Sequence, residues 1–187
     1  RPGLSVNEIK VEFDSLMDVL KAMNMNAVFV QIRPAGDAFY KSGTVPMSKF
    51  LVGRQGAMLD DSLFDPLEYM IKAAHDRRME FHAWMNPYRA EFNIAKNALA
   101  PTHIVRLHPE WFLAYGDRRY FDPGNKEAQQ YVVEVVKDVV SRYPIDAIHF
   151  DDYFYPYRIP GKEFPDYGSY NKYGNGMTRD NWRRSNT

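Results

Sequence analysis

Residues 145–155 read IDAIHFDDYFY, an apolar run that turns acidic and then aromatic. Alternate residues of a strand point to opposite faces. Taken as a strand over 145–151, the segment puts Ile148 and Phe150 on one face and His149 and Asp151 on the other. Two earlier segments behave the same way. In Ala27–Arg33, Val28, Val30 and Ile32 alternate with Phe29, Gln31 and Arg33. From Glu80 to Asn86, Phe81, Ala83 and Met85 alternate with His82, Trp84 and Asn86. Each strand thus has a wholly apolar face and a second face that becomes polar toward its C-terminal end. Convergence of that polarity from three strand ends predicts one shared site.

Working outward, each strand follows a helical pattern. Ser5 or Asn7 can cap a first helix whose buried stripe reads Ile9, Phe13, Leu16, Leu20 and Met23. Asp65-Pro66 opens a second, with Leu67, Met70, Ile71 and Ala74 inside. A third runs from about Lys126 to Tyr143, with Val132, Val135, Val136, Val139 and Val140 inside, and Pro144 ends it. Pro101 to Leu107 reads as a short helix, and Trp111–Tyr115 and Arg118–Phe121 as a hairpin around Gly116-Asp117. Tyr153 to Met177 reads as loop, and Thr178 to Arg184 as the first turn of another helix.

Alternation of helix and strand implies parallel strands joined by right-handed crossovers. The connections after the strands are long, covering 34–63, 88–125 and 153–177, while those from helix into strand are short. A (β/α)8 barrel gathers long βα loops on one face and builds its site there. A doubly wound sheet would instead carry a glycine-rich phosphate loop after a strand, and none follows any strand here. The expected fold is α/β, part of a (β/α)8 TIM-type barrel of about three strand/helix units, spanning 1–187 as one partial domain. Three strands cannot close a barrel that typically takes about 250 residues. The flanks of such a piece invite the remainder of its own barrel, or self-association of the isolated fragment. The chain opens on Arg1 rather than Met, so an upstream segment with any targeting signal is expected.

Composition narrows the chemistry. Lys plus Arg and Asp plus Glu both number 24, which argues against bulk binding of nucleic acid or an anionic membrane. The absence of cysteine excludes disulfides, thiolate zinc sites and a Cys nucleophile. No apolar stretch is long enough for a transmembrane segment. The aromatic content is high, with 13 Tyr, 12 Phe and 3 Trp. Their flat apolar faces and polar edges suit sugar rings as well as protein partners.

Gln31, Arg33, His82, Trp84, Asn86, His149 and Asp151 are therefore the candidate site from parity. A lone inward His or Gln is commonly a hydrogen-bonded core residue, but burying Arg33 and Asp151 without partners would be costly. A purely structural Arg33–Asp151 salt bridge is the alternative. A carboxylate at Asp151 can serve as nucleophile or general acid/base on a glycosidic bond; the other roles open to it are loop capping and metal binding. Asp152 has the opposite parity, and Tyr153, Phe154, Tyr155 and Tyr157 can stack on sugars or cover the rim. A metal held by His82, His149 and Asp151 would point to a sugar isomerase or deacetylase, although no HExxH or close HxH pair is present. No GxSxG elbow supports a serine nucleophile.

Taken together, the segments NAVFVQIRPAGDAFY (26–40), FHAWMNPYR (81–89), FDPG (121–124) and IHFDDYFYP (148–156) resemble the glycosyl hydrolase-like 10 family of bacterial proteins. The resemblance implies a (β/α)8 barrel related to glycosidases, an exported or lipid-anchored envelope protein, and a bacterial envelope polysaccharide as substrate, with peptidoglycan glycan strands as the leading candidate. It implies no cofactor and no metal. It places the catalytic acid on Asp151 or Asp152. The residues expected to meet substrate are Gln31, Arg33, Asp37, His82, Trp84, Asn86, Tyr88, Arg89, His149, Tyr153 and Tyr155. Asp37, Glu91 and Asp122 are candidates for a second carboxylate. A barrel that binds glycan without cleaving it is the competing class.

Overall fold

Ser5 starts the first helix through a reciprocal cap. Its Oγ accepts from the Glu8 backbone N–H at 3.3 Å, and its own N–H donates to Glu8 Oε2 at 2.9 Å. The computed structural model describes residues 2–96, 98–151 and 154–187. In chain order its elements are α1 (Val6–Ala22), β1 (Ala27–Arg33), α2 (Lys49–Val52), α3 (Pro66–Asp76), β2 (Glu80–Met85), β3 (Arg89–Glu91), α4 (Ile104–Leu107), β4 (Phe112–Tyr115), β5 (Arg118–Phe121), α5 (Lys126–Arg142), β6 (Ala147–Phe150), α6 (Tyr167–Tyr173) and α7 (Arg179–Ser185). Asp65 caps α3 through Leu67 N–H with Pro66 behind it, and Asn125 caps α5 through Glu127 and Ala128.

The main sheet is parallel, in the order β1-β2-β6. It is a partial barrel, three strands that do not close on themselves. Helices α1, α3 and α5 cover one face. There Val28, Ile32, Phe81, Ala83 and Met85 pack with Met17, Leu67, Met70, Ile71, Ala74, Val135 and Val139 in one apolar core. The register sets Trp84 beside both Gln31 and His149. Asp146 ties the entry of β6 to β2, accepting from Phe81 N–H and from His75 Nε2, each at 2.7 Å. With Asp146 spent on that tie, β6 begins at Ala147, shorter than the strand expected from 145.

The β2–α5 connection builds its own antiparallel sheet, β3-β5-β4. The hairpin at Gly116 is as expected; β3 is an addition. Tyr88, Ala90, Ile104, Val105 and Phe121 pack there on Ala128 and Val132 of α5. Other expectations need correction. The α1 stripe runs through Val6, Ile9 and Met17, with Phe13 and Leu20 partly buried, whereas Leu16 and Met23 are exposed. A period of 3.6 carries the stripe onto Met17 rather than Leu16. Val140 of α5 is likewise exposed, one residue past the buried Val139. The segment read as loop to Met177 contains α6, held by packing of Tyr170 on Trp182 (ring centroids 5.4 Å apart) rather than by a side-chain cap. Thr178 caps α7.

Candidate active site at the strand ends

Asn86, fully buried at the end of β2, joins three parts of the chain. Its Nδ2 donates to both carboxylate oxygens of Asp151, at 2.8 and 2.9 Å. Its Oδ1 accepts from Arg89 N–H at 2.6 Å, its N–H donates to the Arg33 carbonyl at 2.9 Å, and its carbonyl accepts from Arg33 Nη1 at 3.0 Å. Donor, acceptor and both backbone groups are all engaged, so the amide has one orientation. Asp151 is thereby held in place at the C-terminal end of β6 while remaining partly exposed.

Below it, the face away from the helices carries the parity set. Phe29 lies edge-on to His82 (4.5 Å between centroids) and to His149 (5.2 Å), and Trp84 is edge-on to His149 at 5.9 Å. Gln31 lies on the same face beside Trp84 in register, and both are half-buried. Phe29, 54% exposed, is central to this surface, although it is not among the contacts expected from the sequence. Its parity with Gln31 was the available signal. His82 Nε2 also meets Glu80 Oε2 at 2.9 Å.

Arg33 does not join them. The β1–β2 register shifts between Gln31 and Arg33, so that Arg33 pairs with Met85. Parity slips at that irregularity. The side chain is 1% exposed, its guanidinium 5.8 Å from the Phe121 ring centroid and close to Tyr131 of α5, whose hydroxyl it influences. It meets the site through its hydrogen bond to the Asn86 carbonyl.

Several loop candidates are also enclosed. Asp37 is buried and accepts from Gln55 Nε2 at 2.8 Å; burial raises its carboxyl above the usual range. Tyr88 is buried edge-on to Phe154, with its hydroxyl raised by burial. Arg89 reaches the Pro34 carbonyl and lies over Phe92. Tyr155 packs on Phe164 and beneath Arg183. Asp152 and Tyr153 lie outside the described residues. Of the other carboxylates, Glu91 is buried 3.1 Å from Arg119 Nε. Asp122 is buried and accepts from Gly124 N–H and Ser169 Oγ, with burial raising its carboxyl. All three second-carboxylate candidates are therefore buried and engaged with other residues. His82, His149 and Asp151 do not form a metal-binding group; among the described residues no three His, Asp or Glu side chains converge at such a distance. A cavity of about 530 Å3 beneath the β1–α3 connection includes none of the candidate residues.

The pattern of the family described as glycosyl hydrolase-like 10 matches residues 6–187. The chain is 48% identical to glycosyl hydrolase YngK of Bacillus subtilis over 100% of its own length and 36% of that protein. It is 37% identical to glycosyl hydrolase DigH of Escherichia coli over 91% of its length and 40% of that protein. It thus spans well under half of these relatives. Among solved structures, the GH36 alpha-galactosidase AgaA from Geobacillus stearothermophilus superposes with a TM-score of 0.52 at 14% identity. That match covers 76% of this chain and 19% of AgaA, a likeness of fold alone. The strand pattern, the partial barrel and the match over nearly the whole chain make this protein a member of the glycosyl hydrolase-like 10 family.

Proposed function

We propose that the protein is a glycoside hydrolase acting on a bacterial envelope polysaccharide outside the cytoplasm, with peptidoglycan glycan strands as the leading substrate. The observation that carries the proposal is the Asp151 carboxylate at the C-terminal end of a parallel strand, fixed by Asn86. Carboxylates at that end of a barrel are where glycosidases place their acid, base or nucleophile. As general acid, Asp151 gives a proton to the glycosidic oxygen as the anomeric C–O bond breaks. As nucleophile, it bonds to the anomeric carbon while the glycosidic C–O bond breaks and a second carboxylic acid protonates the leaving oxygen; water then displaces the carboxylate and releases the sugar. Phe29 and Trp84 offer rings on which sugar faces stack, with Gln31, His82 and His149 as polar edges. Family membership and the names of the two relatives support the reaction class.

The test is Asp151→Asn in the full protein, with purified glycan strands digested and products read by mass spectrometry. Turnover is expected to fall on the order of a hundredfold or more, since general acid/base help alone supplies about 10²–10⁴, while glycan binding persists. Loss through Asp152→Asn alone would move the role one residue along. Full turnover in both variants would end the assignment. The commitment of Asp37, Glu91 and Asp122 to buried contacts favours one second reading, a barrel that binds glycan without cleaving it. Binding by the native protein with no product would select that reading.

A further inference from the structure

The connections that leave the C-terminal ends of β1 and β2 meet around two phenylalanine rings. Phe50 of α2 stands edge to face with Phe92, which follows β3, with centroids 5.5 Å apart and planes at 87°. Phe50 is 41% exposed and Phe92 is half-buried, and neither ring belongs to the apolar cores beside it. Arg89 lies over Phe92, 4.9 Å from its centroid, and Lys49 lies 5.5 Å from the centroid of Phe50. The Arg89 backbone N–H donates to Asn86, which holds Asp151. The short segment that Asn86 fixes therefore also carries Phe92.

A helix of four residues such as α2 is marginal by itself, yet buried polar groups hold this one on both sides. Ser48, fully buried, caps it by accepting from Phe50 N–H at 3.3 Å. The Asp37 carboxylate accepts from Ser48 before α2 and from Gln55 after it, the latter at 2.8 Å. Gln55 in turn accepts from Ala100 N–H of the β2–α5 connection at 3.0 Å. Gly36 N–H reaches the Ala90 carbonyl at 3.4 Å and joins the same two connections. Burying a carboxylate and an amide around so short a helix costs free energy. What they fix is an exposed apolar ring beside the strand ends. A ring held rigidly in advance lowers the ordering cost of stacking on it.

We propose that Phe50 and Phe92 form a distal subsite on which the apolar face of an uncharged sugar ring stacks, away from the bond that is cleaved. The assignment rests on the glycosidase reading, since it runs one glycan chain across the mouth from Asp151 to α2. It makes binding depend on chain length. A chain that spans both places gains the stacking contact, and a disaccharide held at the strand ends does not.

The experiment measures binding apart from cleavage, by calorimetry on the full protein carrying Asp151→Asn. Purified glycan strands are separated into two probes, disaccharides and chains of several disaccharide units. The long chains are expected to bind roughly tenfold tighter, the upper range of one aromatic stacking contact. Phe50→Ala and Phe50→Leu, at an exposed position, should remove that advantage and leave disaccharide affinity where it was. Phe50→Tyr keeps the flat ring and should keep the advantage. Melting temperatures matching the parent's show that lost binding reports on the ring. A length advantage that survives Phe50→Ala, one that Phe50→Leu retains in full, or a loss equal for both probes overturns the subsite, as does failure to bind either probe. Cleavage assays on the native protein report on the glycosidase reading separately: products without a length advantage that depends on Phe50 uphold that reading alone.

Discussion

The Nδ2 of Asn86 stands 2.8 and 2.9 Å from the two carboxylate oxygens of Asp151, bridging two strand ends that lie 65 residues apart in sequence. Asn86 is fully buried and holds the Asp151 carboxylate, which on the proposed reading makes it a positioning residue. Asn86→Ala is therefore expected to lower kcat by roughly 10–100-fold with KM little changed, since misplaced catalytic groups lose orientation without losing substrate contacts. The same change strands Arg89 N–H and should cost about 1–3 kcal/mol of stability. Asn86→Asp keeps an acceptor for Arg89 but sets a second carboxylate against Asp151, and should lose turnover at least as far. Steady-state kinetics beside thermal melts separate the two effects; a rise in KM with kcat intact would make Asn86 a substrate contact.

The alternation in β1, β2 and β6 was legible because a two-residue period fixes faces before any partner is known. Loop asymmetry and caps at Ser5 and Asp65 were legible for the same local reason; the Asn125 cap of α5 was not among them. Arg33 was not, because its placement depends on a register shift that arises only when β1 meets β2. Nor were the buried partners of Asp37 and Asp122 legible, since Gln55 and Ser169 lie 18 and 47 residues away. The helical stripe of α1 missed Met17 because two adjacent apolar residues, Leu16 and Met17, compete for one position and packing decides.

His103 offers a test of buried polarity. It is fully buried, its Nδ1 accepting from Val105 N–H at 3.2 Å and its Nε2 packed against Gly36. Burial, helped by Arg33, Arg119 and Arg106, lowers its pKa from 6.5 to about 4. The unfolded chain takes up this proton below about pH 6.5 and the folded chain only near pH 4, so acid favours unfolding across that window. The slope approaches about 1.4 kcal/mol per pH unit. Asp37 and Asp122, raised by burial, act in the opposite sense as pH falls toward their range. Urea unfolding at several pH values should show a steeper acid loss for the native chain than for His103→Asn, which keeps an acceptor for Val105 N–H and cannot titrate. Parallel slopes would remove His103 from the account.

Gly124 sets how the C-terminal segment docks. A Cβ there would lie 2.3 Å from Trp182 Cζ2 and 3.2 Å from Ser169 Cβ. Trp182 is 1% exposed and cannot yield without opening the α6–α7 packing. Gly124→Ala should cost about 1–3 kcal/mol by overpacking, shift tryptophan emission to the red, and open 164–187 to proteolysis. Native emission and native protease resistance would show that this segment docks by other contacts.

Sheet order makes the last prediction. Among the described residues β1 and β6 pair only with β2, so each has an outer edge without a strand beside it. Next to those edges lie Phe29, 54% exposed, and Phe150, 40% exposed. Open edges flanked by apolar side chains recruit further strands. The 187-residue chain prepared alone should therefore associate, with light scattering reporting a mass above its 21.8 kDa that grows with concentration. Phe29→Lys sets a charge beside the β1 edge and should reduce that association, while the helix-covered face, built on Val28 and Ile32, is untouched. A monomer that melts cooperatively at high temperature would show that the three-strand sheet is sufficient by itself.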